Sequence, residues 1–176
     1  HCHDWQAALV PLYLRTCFAD TNVGRASAVL TIHNLKFQGI YDRKMIQYWS
    51  GLPDYVFNKD CMIQNWLDAN MLKGGIAYCN KITTVSNTYA GEIQTEEYGE
   101  GLAEHLRYHN NKIRGIVNGI DTDNWNPATD KLLTANYDAE SAVENKKINK
   151  KALQESLGLE VDDHKMVIGL ISRLTN

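Results

Sequence analysis

Short apolar runs that are rich in β-branched residues alternate along this chain with longer segments of helical period. Strands are predicted over residues 28–32, 81–85, 113–117 and 166–171, and the first and last of these are continuous apolar runs. A continuous apolar run of this length is typical of a strand covered on both faces, as in a parallel sheet. Strands that alternate with helices therefore predict an α/β fold with a mostly parallel sheet.

The segments between the runs are of two kinds. Helical periodicity predicts helices over residues 4–18, 63–79, 87–94 and 144–157. Ser86 or Asn87 would cap the third of these helices, and Gly158 would close the fourth. Residues 33–59 have no clear period and are predicted to form a functional loop or lid. Residues 119–142 also lack a sustained period and are predicted to be a linker.

The composition excludes some classes of function. The 176 residues include 18 Lys plus Arg against 21 Asp plus Glu, a net charge of −3. A binder of nucleic acid or membrane surface that works by bulk positive charge is therefore not expected. The apolar runs are too short to cross a bilayer. The four cysteines form no C-x-x-C pair, which favours a reduced setting. Because the chain starts at His1 directly before a helical pattern and stops directly after an apolar run, we expect a piece of a longer protein.

Polar side chains follow each predicted strand or open a predicted helix. They form the clusters His3–Asp4, His33–Asn34 with Gln38, Thr84–Ser86, Asn118–Asp121 and Ser172–Arg173. Ligands of open parallel sheets bind outside the carboxyl ends of the strands, so these clusters are candidate site residues. The opening His-Cys-His-Asp is a poor metal site, because consecutive residues point in different directions and no second ligand pair follows. We expect no metal and no cofactor.

Taken in order, seven segments of the chain resemble bacterial glycogen synthases and plant starch synthases. These are HDWQAAL (3–9), TIHNLKFQG (31–39), NMLKGGI (70–76), TTVSNTYAGEI (83–93), GIVNGID (115–121), WNP (125–127) and SRLT (172–175). The resemblance implies a GT-B glycosyltransferase with two Rossmann-like domains. Residues 1–120 would be the second half of the N-terminal domain, 121–143 the hinge, and 144–176 the first helix and strand of the C-terminal domain.

The resemblance also implies an activity. It is the transfer of glucose, with retention and without a metal, from ADP-glucose to the non-reducing end of an α-1,4-glucan. The compartment would be a bacterial cytoplasm or a plastid. Three family motifs are missing from the chain: the Lys-x-Gly-Gly loop, the Gln-Lys-Gly after SRLT, and the motif with the catalytic glutamate. Asn87 stands where the family usually has proline. The chain alone is therefore expected to be inactive.

Site roles follow from the same resemblance. His3 would be catalytic and would hydrogen-bond the donor sugar, and Arg173 would clamp the donor diphosphate. The remaining substrate contacts would be His33, Asn34, Gln38, Lys73 and Asn118. Simpler structural roles are open for most of these residues: hydrogen bonds within the loop for His33, Asn34 and Gln38, a solvated side chain for Lys73, and a turn for Asn118. Asp4 is predicted to cap its helix rather than to catalyse.

Two other interpretations remain open. One is a non-catalytic glucan-binding or interaction module derived from the same fold, and the other is a related glycosyltransferase that uses UDP-glucose. Aromatic side chains are able to stack on the apolar faces of sugars. For those of the 33–59 segment, namely Tyr41, Tyr48, Trp49 and Tyr55, packing of the loop on its own domain is favoured.

Overall fold

The structure is a computed structural model that describes residues 1–65 and 67–173. Two parts of the predictions lie outside the described residues: Trp66, within the helix predicted over residues 63–79, and the end of the SRLT segment. The chain divides into two compact units, His1–Asn118 and Gly119–Asn176. Each unit is described separately below. No helix in the described part of the chain is long and apolar enough to span a membrane.

Among the residues that the structure describes, the first unit contains six strands and five α-helices. The strands are β1 (Cys2–His3), β2 (Val29–Ile32), β3 (Ile40–Asp42), β4 (Asp68–Asn70), β5 (Lys81–Thr84) and β6 (Ile113–Gly115). The helices are α1 (Leu9–Arg15), α2 (Arg43–Ser50), α3 (Met71–Tyr78), α4 (Asn87–Glu92) and α5 (Ala103–Tyr108).

A four-stranded sheet forms the centre of the first unit. Its order is β1-β2-β5-β6, and every pairing in it is parallel. The register puts Leu30 beside Ile82 and Ile82 beside Ile113, and all three side chains are buried. Leu30, Ile82 and Ile113 pack in one buried cluster with side chains of α3 and α5, namely Leu72, Ile76 and Leu106. The predicted α/β class with a parallel sheet is confirmed.

The N-terminal helix is shorter than predicted. Residues 4–18 contain a 3₁₀ turn at Trp5–Ala7 and then α1. Pro11 lies in the first turn of α1. Backbone N–H groups in that turn have no acceptor within the helix, so the absence of an N–H in proline breaks no helical hydrogen bond. Helix α3 packs close to this segment, since a Cβ on Gly75 would lie 2.8 Å from the Cβ of Ala8. Gly75 thus permits a close approach of α3 to the backbone of Ala8.

The prediction that residues 33–59 form an irregular loop is wrong. It contains β3, α2 and a 3₁₀ turn at Asp54–Val56, and β3 pairs antiparallel with β4. The helix predicted from residue 63 begins only at Met71. Asn70 caps it, since its side-chain oxygen accepts a hydrogen bond from Lys73 N at 2.9 Å. The pairing of β3 with β4 holds residues 68–70 extended, and local periodicity does not reveal that pairing.

The second unit contains helix α6 (Ala142–Ser156). The predicted helix is confirmed, with Gly158 at a φ of 65° after its end. The strand predicted over residues 166–171 is wrong in this structure: the segment has no regular secondary structure and pairs with no strand in the described part of the chain. Met166, Ile168 and Leu170 are each more than four-fifths exposed. A strand needs a neighbour for its backbone groups, and apolar composition does not supply one.

Helix α5, which the sequence did not predict, is tied to α3 through His105. The His105 ring nitrogen Nε2 lies 3.1 Å from the carbonyl oxygen of Lys73. A carbonyl only accepts, so the ring must donate and Nε2 carries the proton. Burial, with a smaller contribution from His109, lowers the pKa of His105 to about 4. His105 is therefore neutral in the folded chain at neutral pH.

This lowered pKa predicts a loss of stability in mild acid. Between pH 6.5 and 4 the unfolded chain binds more protons at this position than the folded chain, so stability falls as the pH falls. Between pH 7 and pH 5 the free energy of unfolding of wild type falls. We expect this fall to be smaller by about 1 kcal/mol in His105→Gln, which retains a donor toward Lys73; the figure allows for partial solvent screening. Thermal unfolding of the full-length protein at both pH values measures this difference in stability. His164→Gln, in the other unit, is the control, and an equal acid sensitivity in wild type and H105Q would contradict the prediction.

Candidate active site at the carboxyl edge of the sheet

The carboxyl ends of the parallel strands bring several of the predicted site residues to one edge. His3 ends β1, His33 directly follows β2, and Ser86 follows β5 after one residue. The chain leaves β6 toward Asn118 at the same edge, with Ile116 N donating to Thr84 O at 2.8 Å. This edge is where ligands of open α/β sheets bind.

His3 is exposed at this edge and is held by other histidines. Its Nδ1 lies 2.9 Å from Nε2 of His33, and the two ring centroids are 5.2 Å apart. The His1 ring also stacks on His3, with centroids 4.4 Å apart, and its Nε2 lies 2.6 Å from the Thr31 hydroxyl. One ring nitrogen of His3 is thus engaged within the protein, which leaves the other for a ligand.

Asp4 joins the end of β1 to the end of β2. Its backbone N–H donates to Thr31 O at 2.9 Å, and its carboxylate accepts from His33 N at 2.8 Å. The prediction that Asp4 caps its own helix is wrong, because its side chain makes no capping bond to the 3₁₀ turn that follows. Asp4 has a φ of 52°, an uncommon value for a residue other than glycine, and the two hydrogen bonds hold it there.

Asn34 and Gln38 differ in their availability to a ligand. Asn34 is exposed, and its side-chain oxygen accepts from Lys36 N in a local turn. Gln38 is only 5% exposed, and both of its polar atoms are engaged. Its Nε2 donates to Glu100 O at 2.9 Å, and its Oε1 accepts from Asn70 Nδ2 at 2.6 Å. Gln38 therefore links three segments of the first unit, and its contact with substrate stays a prediction.

Lys73 likewise faces protein atoms. Its ammonium donates to the carbonyl oxygens of Lys59 and Ile63, the latter at 2.7 Å. Burial lowers its pKa from the usual range. Lys73 lines a cleft of about 680 Å³ together with Arg43, Phe57, Asn58, Lys59, Ile63, Gln64 and Asn65. None of the histidines at the sheet edge lines this cleft, so the structure does not join Lys73 to His3.

Ser86 and Gly115 shape the exit of the last two strands. Ser86 caps α4, since its hydroxyl accepts from Tyr89 N at 2.9 Å. A Cβ on Gly115 would collide with the Ser86 carbonyl and lie only 2.5 Å from the Asn87 Cα. Glycine is therefore required where β6 passes α4. Beyond it Asn118 is exposed, and its side chain makes no hydrogen bond within residues 1–65 and 67–173.

Arg173 belongs to the second unit, where it lies in an exposed stretch without regular secondary structure. Its guanidinium forms no ion pair with the residues that the structure describes. A guanidinium fork that makes no ion pair with the described residues is able to bind an anion. The proposed grip on a diphosphate stays a prediction.

The aromatic residues of α2 are exposed rather than packed. Tyr48 is 88% and Trp49 84% exposed, and Tyr55 is also exposed. The favoured interpretation, that these side chains pack on their own domain, is wrong for these three. Tyr41 does pack in part, with its ring centroid 6.1 Å from that of Trp5. Sequence reasoning missed the exposed face because α2 itself was not predicted.

No three His, Cys, Asp or Glu side chains come together to hold a metal ion among the residues that are described. The edge therefore offers imidazole, amide and hydroxyl groups, which both donate and accept hydrogen bonds. Such groups suit a ligand that carries many hydroxyls, such as a sugar.

Comparison with known proteins also relates this chain to proteins that act on sugars. Residues 1–108 match the family model of the starch synthase catalytic domain. The chain is 49% identical, over its whole length, to glycogen synthase from Lachnospira eligens, and 50% identical, over 99% of its length, to glycogen synthase from Thermotoga petrophila. It spans 37% and 35% of those relatives, respectively.

A solved structure also resembles the chain. It is the catalytic domain of starch synthase IV from Arabidopsis thaliana bound to ADP and acarbose, with a TM-score of 0.75 and 38% identity. The match covers 91% of this chain and 33% of that one. Sequence, fold and the order of the motifs agree, and the chain belongs to the glycogen synthase and starch synthase family of glycosyltransferases.

Proposed function

We propose that the protein containing this chain transfers glucose from ADP-glucose to the non-reducing end of an α-1,4-glucan, with retention of configuration. The observation that carries the proposal is the exposed His3 at the carboxyl edge of the sheet, held by its hydrogen bond to His33. The similar starch synthase IV domain, which was solved with ADP and acarbose, supports a nucleotide-linked donor.

The chemistry assigns distinct tasks to the site residues. Positive charge builds at the anomeric carbon during transfer, and negative charge builds on the departing diphosphate. His3 would hydrogen-bond the donor sugar, and the guanidinium of Arg173 would bind two phosphate oxygens at once. His33, Asn34 and Asn118 would lie toward the sugar hydroxyls. Gln38 and Lys73 would have to give up internal hydrogen bonds to contact substrate, so they are the weaker candidates.

The domain roles are part of the same proposal. Residues 1–120 would form the second half of an N-terminal, acceptor-side domain, 121–143 the hinge, and 144–176 the start of a nucleotide-sugar domain. The division of the chain after Asn118 is compatible with this assignment. A bacterial cytoplasm or a plastid is the compartment that the proposed activity requires, since glucan synthesis takes place there.

Incorporation of labelled glucose tests the proposal. The full-length protein is incubated with glycogen and labelled ADP-glucose, or with labelled UDP-glucose in parallel. We expect incorporation from ADP-glucose well above that from UDP-glucose, and none by residues 1–176 alone. A preference for UDP-glucose would favour the related glycosyltransferase, and no incorporation from either donor would contradict the proposed transfer.

A second candidate, glucan binding without transfer, is supported by the exposed Tyr48 and Trp49 on α2. Exposed aromatic rings provide stacking platforms for sugars. Retardation of the full-length protein in gels that contain glycogen measures such binding. Retardation that depends on both rings, without any glucose transfer, would favour this candidate over the enzyme.

A further inference from the structure

The polar segment between β2 and β3 carries three of the predicted substrate contacts but forms no helix or strand of its own. These contacts are His33, Asn34 and Gln38. We infer that Asn70, a residue outside the predicted site, is a positioning residue that holds this segment in the conformation required for glucose transfer. The inference rests on the proposed function for its kinetic test, and Asn70 acts through the segment without touching the substrate itself.

Asn70 is fully buried at the junction of β4 and α3, and both polar atoms of its side chain are bonded. Its Oδ1 accepts a hydrogen bond from Lys73 N at 2.9 Å and so caps α3. Its Nδ2 donates to Oε1 of Gln38 at 2.6 Å and to Oε1 of Gln64. One buried side chain therefore joins the start of a helix to the polar segment after β2.

The two ends of this network determine the orientation of the amides between them. A backbone N–H only donates, so the Asn70 atom that faces Lys73 N is the oxygen, and Nδ2 points toward the glutamines. A backbone carbonyl only accepts, so the Gln38 atom that lies 2.9 Å from Glu100 O is Nε2. The oxygen of Gln38 is then the atom that faces Asn70 Nδ2. The two assignments agree, and reversal of either amide would place two donors or two acceptors face to face in a buried environment, which is costly.

The segment is held at both of its ends. At its start, the Asp4 carboxylate accepts from His33 N at 2.8 Å. At its end, Leu72 N in the first turn of α3 donates to Gln38 O at 3.0 Å, beside the side-chain bond from Asn70. Because the segment has no helix or strand ladder to fix its backbone, its conformation depends on these contacts.

Loss of the Asn70 amide would leave the Gln38 oxygen without its donor and would release the end of the segment. The His33 and Asn34 side chains, which the proposed function places toward the sugar hydroxyls, would then be less well placed. Misplacement of groups around the reacting atoms slows the chemical step, because the productive geometry has to be recovered in every turnover. We therefore expect turnover to suffer more than donor binding.

Two substitutions in the full-length protein separate the helix cap from the amide donor. Serine and aspartate cap helices about as well as asparagine does, but neither offers an N–H to both glutamines. For Asn70→Ser and for Asn70→Asp we expect kcat for glucose transfer to fall about tenfold, with KM for ADP-glucose changed less than about threefold. Asn80→Ser is the matched control. The Asn80 side chain also binds backbone, accepting from Ala28 N at 2.8 Å, but Asn80 precedes β5 and so lies at the opposite edge of the sheet.

Coupling to Gln38 is the second part of the test. Gln38→Met removes both hydrogen bonds of the Gln38 amide with little change in side-chain shape. In this background Asn70→Ser should lower kcat no further, because Asn70 acts through Gln38. Additive losses, wild-type kcat in both Asn70 variants, or an equal loss in N80S would each overturn the inference. Failure of both Asn70 variants to fold would also overturn it, since Asn70 would then serve stability alone.

A further measurement does not depend on glucose transfer. Hydrogen exchange of the backbone amides of residues 33–39, followed by mass spectrometry, should be about tenfold faster in N70S than in wild type and unchanged in N80S. Helix α6 is the internal reference and should exchange alike in all three proteins. Unchanged exchange of residues 33–39 in N70S would overturn the inference even if glucose transfer is confirmed. If the wild type transfers no glucose, the proposed function fails, and the exchange rates still decide whether Asn70 holds the segment.

Discussion

Replacement of His3 by alanine in the full-length protein is expected to lower kcat at least a hundredfold while it weakens donor binding much less. The proposed hydrogen bond strengthens as positive charge develops at the anomeric carbon. Such a contact lowers the barrier more than it improves binding of the ground state. A hundredfold loss corresponds to about 2.7 kcal/mol of transition-state stabilisation.

Initial rates of glucose transfer at saturating ADP-glucose measure the effect, and calorimetric titration with ADP measures binding. His164→Ala should leave both quantities near the wild-type values, because His164 lies in the second unit and its side chain makes no hydrogen bond with the described residues. Full turnover in H3A would show that His3 is a structural residue. An equal loss of affinity and turnover would show that His3 binds donor and transition state alike.

Replacement of Arg173 by alanine is expected to weaken ADP binding about tenfold or more and to lower turnover with it. A hydrogen bond to a charged group contributes about 1.5–3 kcal/mol, and about 1.4 kcal/mol is a factor of ten in affinity. Arg173→Lys should restore only part of the loss, because an ammonium retains the charge but not the bidentate fork. The affinity of wild type for ADP should fall as salt rises, since exposed charges are screened.

Calorimetric titration of the full-length protein with ADP, at low and at high salt, measures these changes. Arg25→Ala is the matched control, since Arg25 is also exposed and belongs to the first unit. We expect wild type to bind ADP most tightly, R173K more weakly and R173A most weakly. Equal affinities for all three would show that Arg173 is a surface residue without a role in nucleotide binding.

The features predicted correctly from the sequence are those that local patterns control. Residues 28–32 form a continuous apolar run, and residues 81–85 are rich in the β-branched residues Ile, Thr and Val, so their strands were recognisable without any partner. The cap of α4 and the glycine after α6 were predictable for the same reason, since each depends on a few neighbouring residues. The ordered motifs identified the family, because each is a short local string.

The features predicted wrongly depend on partners that are distant in the chain. The β3–β4 pairing brings Ile40 opposite Asn70 and so delays the start of α3 to Met71. The same pairing turned an expected loop into strand and helix. In the opposite sense, residues 166–171 have the composition of a strand but no strand beside them in the described part of the chain.

For the candidate site, the sequence identified which side chains follow the strands, because the carboxyl ends of parallel strands share one edge. Tertiary structure decided which of those side chains are available. His3 and His33 are 30 residues apart in the chain and meet only because β1 and β2 are neighbours in the sheet. Gln38 and Lys73 lie in motifs of the same kind, yet their polar atoms are used by protein groups brought near through the β3–β4 segment. Composition and spacing give the chemistry of a group, whereas its freedom to bind a ligand depends on long-range packing, which no local pattern encodes.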